Sequence, residues 1–461
     1  MTASDTSPNR PDSGLDANTI LPRLDRLPVW PYPKIVLWMV GIGYFFAFFD
    51  VGNMAPVLPV VTTALSTTTE TAALALSLNL VGFVVGALGL AYLSDLRGRR
   101  TGLFLAVVFV AGGSLVSGVA GDINTLIIAR FIVGVGTGTA IATVTTYAAE
   151  IAPAALRGRY TALATVIGFS GGSVVPFIAL VIVPNFSWGW RILLAFPLVA
   201  ALTLPWILRK VPESPRWLMA QGRIEEAEAV VAAAERHAAS RHSGTLPPIV
   251  PVPPEPESGQ SPFRVLMGRT YRPRVLLLLV IWTLFYFANY GFTGLTITFL
   301  TKGAGFSLSW SLVFGIIISV GAVAGGLAAA SIIDRFERKH LLMTVAGVFT
   351  VAAVTIALAP SVVPLVLASM TIGLCLSMFS SVGYTLSAEQ FPTRGRSVAL
   401  AATEGVGHLG GAIAPPVLLA TFSAGGFSVP FLVIGGALIC VIALLPMTRA
   451  TRGRSLSQID V

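Results

Sequence analysis

With 461 residues, 54% of them apolar and only 11% charged, and a mean hydropathy of +0.81, the chain has too little charge to coat a water-facing surface. An ordinary soluble domain is thereby excluded. The +9 formal charge comes from 30 Lys and Arg set against 21 Asp and Glu, and the two cysteines, Cys375 and Cys440, show no CxxC or Cys/His clustering. They read as free core thiols, which leaves no cysteine framework for a metal centre or a redox couple.

Residues 1–34 are polar and Pro-rich, carry Arg10, Arg23, Arg26 and Lys34, and lack an apolar core ending in a small-residue cleavage site. They read as a tail rather than a signal peptide. Low-charge stretches then fall at about 35–60, 72–93, 101–120, 124–149, 160–183 and 189–208, each long enough for the ~20 helical residues that cross a bilayer. Residues 209–273 open with Pro212-Glu213-Ser214-Pro215-Arg216, run at helical spacing from Arg223 to His237 and turn Pro-rich from Pro247 to Pro262. This pattern predicts a helical clip and an extended linker, too short for a catalytic domain. A second set of apolar stretches falls at about 274–299, 310–333, 341–359, 362–388, 397–420 and 427–447, followed by a tail at 448–461. The expected fold is an all-α membrane protein with 12 transmembrane helices, arranged as bundles 35–208 and 274–447 around a central cavity.

The two bundles are copies. Asn79–Arg100 laid over Ile318–Lys339 matches at eight of 22 positions, among them Gly82/Gly321, Gly86/Gly325, Asp95/Asp334 and Arg99/Arg338, where about two would arise by chance. The same offset of 239 pairs Gly52 with Gly291, Gly134 with Gly373, Glu150 with Glu389 and Pro153 with Pro392. A duplicated, membrane-spanning half points to a secondary transporter with its site between the halves.

Placing the first tail in the cytoplasm puts all but three of the 30 Lys and Arg on that side. Both termini are therefore expected inside. Orientation and contact with anionic lipid then explain the positive charge without nucleic acid. The exceptions are Arg191 and Lys302 near outer helix ends, and Arg130 within helix 4.

Leu93-Ser94-Asp95-Leu96-Arg97-Gly98-Arg99-Arg100 resembles the signature loop of the major facilitator superfamily. Further resemblance runs through most of the chain: Arg130 to Gly138, Glu150 with Arg157-Gly158-Arg159, Trp190-Arg191, Pro212 to Arg216, and Glu389-Gln390-Phe391-Pro392-Thr393 with Arg396. In that order these segments resemble the sugar-porter and metabolite:proton-symporter branch. Where sugar porters hold glutamines and an asparagine, this chain has Phe287, Ala288, Thr293, Thr165 and Gly172. Phe287 to Gly291 and Gly405 to Gly411 are more similar to symporters of organic acids, aromatic acids or nicotinate-like metabolites. The resemblance thus implies an acid before a hexose as substrate.

A charge at mid-bilayer costs about 2.5 to 3.5 kcal/mol on insertion scales, so Asp50, Arg130 and Glu404 need a partner, water or a task. Helix rise places Asp50 and Arg130 both roughly 8–9 Å from the outer surface. The expectation is a proton-coupling pair in which protonation of Asp50 frees Arg130, as the resemblance also implies; the alternative is a permanent structural ion pair. At the 239 offset Asp50 faces Asn289 and Arg130 faces Ser369, so the second half builds its bundle without either charge. Glu404 and His408, four apart on one helix face, are candidates for substrate binding or, equally, for locking helix 11. Asn53, Tyr286, Asn289 and Tyr290 add polar tips for substrate, with packing as their alternative.

Toward the cytoplasm, Asp95 with Arg99, Glu150 with Arg157 and Arg159, Glu213 with Arg216, Asp334 with Arg338, and Glu389 with Arg394 and Arg396 form a candidate gate repeated in both halves. Loop solvation and topology setting are the alternative. Gly134–Gly138 and Gly168–Gly172 lack the strand and Lys-Ser/Thr of a phosphate loop and read as close helix packing. No metal, cofactor or nucleophile constellation stands out, so the chain is not expected to be an enzyme. The expected protein is a monomeric multi-pass transporter of the cell membrane, plasma or inner, that takes up a small organic solute with protons by alternating access. The alternatives are a proton-linked drug or metabolite exporter and a non-transporting nutrient sensor.

Overall fold

The computed structural model describes residues 17–249, 262–333, 335–359, 361–392 and 395–451, and every regular element in them is helical. Twelve helices are long and apolar enough to cross a membrane, numbered here as spans 1 to 12: Lys34–Ala64, Thr69–Arg97, Arg99–Val119, Ile123–Ile151, Ala154–Ile182, Gly189–Lys210, Arg272–Lys302, Leu308–Ile332, Arg338–Leu358, Val362–Glu389, Val398–Gly425 and Ser428–Met447. Several outrun the apolar stretches read from sequence, because a helix continues past its first polar or charged residue where a hydropathy reading stops. The segment joining spans 6 and 7 shares one face with the start of span 1 and the end of span 12. That side is called the terminal face, and its opposite the far face.

Spans start where a short polar side chain takes up an orphan amide. Thr68 accepts from Thr71 N before span 2, Asp122 from Asn124 N and Thr125 N before span 4, and Ser307 from Trp310 N before span 8. Pro56, Pro59, Pro176, Pro415 and Pro416 lie inside spans. Membrane helices tolerate such breaks because neighbouring helices satisfy the freed carbonyls.

The sequence repeat is also a packing repeat. A methyl on Gly82 would run into the Phe131 carbonyl, on Gly86 into Val135, and on Gly134 into Asn79. At the matching positions, Gly321 abuts Met370, Gly325 abuts Leu374 and Gly373 abuts Ile318. Each contact in one half reappears 239 residues on, so spans 2 and 4, and again 8 and 10, meet backbone to backbone as small residues allow. Between the halves, contacts run from the far face to mid-depth. Lys302 of span 7 donates to Thr69 of span 2, Gly315 of span 8 lies by Pro176 of span 5, and Gly411 of span 11 lies by Leu80 of span 2.

Three short helices build a platform on the terminal face: Ala17–Asp25, Pro215–Ala220 and Ile224–Ala239. The first falls inside the stretch read as a polar, Pro-rich tail; nine residues containing Pro22 carry no helix signal of their own. Docking stabilises it. Ile20 and Leu24 are buried, Arg23 grips Glu228 at 2.6 Å and Glu235 at 2.6 Å, and Arg26 reaches Glu235 at 2.7 Å. The expected clip is present as Pro215–Ala220 and Ile224–Ala239, whereas most of the Pro-rich linker, 250–261, lies outside the described residues. Cys375 is buried and Cys440 exposed, both free; Cys440 is therefore not the core thiol expected from its apolar neighbours, having turned to the bundle's outer surface.

Candidate functional site

Asp50 on span 1 and Arg130 on span 4 face each other inside the first bundle. Arg130 Nη1 donates to Asp50 Oδ1 at 2.7 Å and Nη2 to Oδ2 at 2.8 Å. Such a fork-to-fork pair combines charge with fixed geometry. Both residues are at most 1% exposed, so neither charge is left to water. Asn53 Nδ2 adds a bond to Asp50 Oδ1 at 3.2 Å, and Asn79 Nδ2 lies 3.1 Å from both Asp50 Oδ2 and the Arg130 carbonyl. Asn53, expected at the substrate, thus belongs to the ion-pair cluster. Four residues from three spans make one polar knot in an apolar bundle.

A second centre lies in the other half and touches the first half through Phe83 of span 2. Span 11 contains a π-helical turn at Ala401–Gly405, and span 2 another at Gly86–Leu90, close to it. Such bulges break helix regularity and are frequent at functional sites. Glu404 sits in the span 11 turn. Its Oε1 accepts from Tyr286 at 2.8 Å and Tyr384 at 3.2 Å, and the two hydroxyls are 3.1 Å apart. Trp282 stacks on Tyr286 and Tyr384 with ring centroids 5.2 and 5.0 Å apart, and its indole Nε1 donates to Ser387. His408 lies between Phe83 of span 2 at 4.3 Å and Tyr286 at 3.9 Å, with Nδ1 2.9 Å from the Glu404 main-chain oxygen. Tyr290 stacks on Tyr286 at 5.6 Å, and Asn289, half-buried beside it, accepts from Thr293 through its carbonyl. Glu404 keeps 23% of its side chain exposed and Tyr384 is exposed, so this box has an opening.

On the terminal face, Arg99 binds Glu150 at 2.9 Å and also Asp95. The 239 offset carries the first pair onto Arg338 and Glu389, which are 3.4 Å apart. Glu150 therefore pairs with Arg99, not with Arg157 or Arg159, because the ends of spans 3 and 4 lie side by side. Arg157 and Arg216 instead meet Asp25 of the docked helix at 3.3 and 2.6 Å, Arg159 is exposed, and Arg396 donates to the Phe391 carbonyl at 3.5 Å. Glu213 accepts from the amides of Arg99 at 2.7 Å and Ser214 at 2.9 Å. Burial still pushes its carboxyl above the usual range. Gly98 is required beside it twice over: its φ is +105°, and a Cβ there would strike Glu213. Asp334 and Arg394 lie outside the described residues. Among the described residues, the ion pairs seen between spans at this face run within one half.

Sequence reasoning missed Asn79, Trp282, Tyr384 and Asp25. Asn79 had a signal: it opens the repeated segment as an amide in an apolar helix, opposite Ile318 in the copy. Trp282 and Tyr384 had none, since an aromatic residue in an apolar helix reads first as packing.

Twelve spans in two matched bundles, with charged and aromatic centres between their helices, define a multi-pass membrane transporter rather than an enzyme. The family described as Sugar (and other) transporter matches residues 36–461, and the chain belongs to it, with the major facilitator fold. It is 28% identical over 448 residues to the niacin transporter NiaP of Acinetobacter baylyi, covering 96% of this chain and 100% of that one. It is 28% identical to the 4-hydroxybenzoate transporter PcaK of Pseudomonas aeruginosa, over 85% of this chain and 88% of the other. In fold it is similar to the inward-open xylose transporter XylE from E. coli, with a TM-score of 0.70 and 21% identity, covering 93% and 99% of the two chains.

Proposed function

We propose that this chain imports a small organic solute together with protons, an organic or aromatic acid or nicotinate-like metabolite before a hexose. Alternating access of the two halves across a plasma or inner membrane carries it. The distribution of Lys and Arg supports taking the terminal face as cytoplasmic. One chain supplies both centres, so a monomer suffices.

The observation that carries the reading is the Asp50–Arg130 pair, buried, two-pronged and present in one half only. A bond needed merely to hold a bundle together would be expected in both copies, yet Asn289 and Ser369 occupy the equivalent positions. In this reading ionised Asp50 holds Arg130, a proton arriving from outside neutralises Asp50, and the released guanidinium lets the loaded halves rock. The repeated pairs Arg99–Glu150 and Arg338–Glu389 brace the cytoplasmic ends of the halves. The relatives' printed names, niacin and 4-hydroxybenzoate, support an aromatic acid as substrate. Uptake of labelled nicotinate, 4-hydroxybenzoate and xylose into proteoliposomes under an imposed pH gradient tests it. Acid uptake that follows the gradient is expected; gradient-independent uptake, or uptake of the sugar alone, refutes it.

A further inference from the structure

Glu404 is a carboxylate in a place where an acidic substrate would meet it. Among the described residues, Asp50, Arg130 and Glu404 are the charged side chains in the middle of the spans, and the first two neutralise each other. The groups around Glu404 offer hydrogen bonds and ring faces but no fixed positive charge. They are Tyr286 and Tyr290 from span 7, Tyr384 from span 10, His408 from its own span and Tyr44 from span 1, with Phe83 from span 2 closing the far side of His408. His408 is the sole ion-pair candidate, 3.9 Å from Oε1, and its Nδ1 is already engaged with the Glu404 carbonyl. Both tyrosine bonds fall on Oε1. Oε2 is left for a ligand.

Two carboxylates brought together away from water cannot both stay ionised. Resting on the acid reading above, we infer that Glu404 is a second proton site: it takes a proton from solvent when the substrate binds, and the resulting carboxylic acid donates its hydrogen bond to the substrate's carboxylate. The substrate's ring then lies against the open face of Tyr384, which Trp282 backs. Nothing equivalent exists in the first half, where Thr165, Thr145 and Gly43 stand at the positions of Glu404, Tyr384 and Trp282. The halves therefore divide the work, one carrying the ion pair and the other the substrate's proton.

Calorimetric binding of benzoate, with benzylamine as the cationic control, to the full chain in nanodiscs between pH 6 and 8 tests this. Wild-type affinity for benzoate is expected to fall more steeply with pH than that of Glu404→Gln, by about tenfold per pH unit for the one proton involved. Glu404→Gln, whose amide also donates, is expected to keep binding benzoate at pH 8. Asp50→Asn, which lacks the other proton site, should still take up one proton per benzoate bound in weakly buffered solution. Equal pH slopes in wild type and Glu404→Gln, loss of benzoate binding in a folded Glu404→Gln, or no proton uptake in Asp50→Asn overturns the second proton site while leaving acid import standing. Binding of benzylamine alone, or of neither probe, overturns both.

Discussion

The amide of Asn79 touches Asp50 Oδ2 and the Arg130 carbonyl at the same 3.1 Å, tying span 2 to the ion pair that joins spans 1 and 4. Its own backbone carbonyl is the atom against which Gly134 packs. The residue thus couples the charge cluster to one of the backbone-to-backbone helix contacts of the bundle.

Asn79→Leu should therefore cost about 1–3 kcal/mol, since it leaves a lone pair on a buried charge unmet. Thermal unfolding in detergent reads the loss. In an Asp50→Asn background the same change should cost less, because the two residues share one network; strictly additive losses would show that Asn79 acts apart from the pair.

The glycine repeat makes a paired expectation. Gly134→Ala and Gly373→Ala each push a methyl into a backbone carbonyl, of Asn79 and Ile318 respectively, and overpacking of this kind costs about 1–3 kcal/mol. Gly112→Ala on span 3, with open space around it, should unfold at the wild-type temperature. Melting curves of the three variants check whether the copies are equally strained.

The docked helix Ala17–Asp25 should loosen in acid. Burial tends to raise the Glu235 carboxyl, but the hydrogen bonds and charges of Arg23 and Arg26 outweigh it and leave the group below the usual range. A carboxylate with a lowered folded pKa stabilises above its ordinary range and ceases to do so as pH falls through the lowered value. Amide exchange across residues 17–25, corrected for the intrinsic exchange rate at each pH, should be slow at pH 7, speed up only once pH falls below the ordinary carboxylate range, and be already fast at pH 7 in Glu235→Gln. Exchange indifferent to both changes would assign the docking to Ile20 and Leu24 alone.

Removal of the His408 ring should weaken the box without unfolding span 11. The ring fills the space between Phe83 and Tyr286, so His408→Ala is expected to raise the Michaelis constant for an aromatic acid at least tenfold. An unchanged constant would make the residue a packing element.

The sequence alone carried the architecture, because apolar length and the 239-residue repeat are properties of consecutive residues. Span ends drifted where helices run on past charged residues, as at Arg272 and Lys302. The ion pair was legible because two isolated charges at equal depth leave few other partners. The box was half legible: Glu404 and His408 share one face of their helix and Tyr286 stood out as a polar tip, but Tyr384 comes from span 10 and Trp282 from a position with no polar mark. Asn53 shows the limit of such reading, since helical position gave its depth but not whether it turned toward the cavity or toward Asp50. Asp95 with Arg99 was read correctly, whereas Glu150 with Arg157 and Arg159, and Glu213 with Arg216, were misassigned for the same reason. Sequence neighbours such as Glu150 and Arg157 lost to Arg99 and Asp25, which only the packed fold brings near.

Proton coupling through Asp50 is tested most directly in proteoliposomes holding Asp50→Asn, by comparing exchange of labelled aromatic acid at equal pH with its accumulation under an inward proton gradient. Exchange should persist, because the substrate box is intact, while accumulation above the external concentration should be lost. Accumulation by Asp50→Asn equal to wild type would contradict the coupling role and return the Asp50–Arg130 pair to a structural bond.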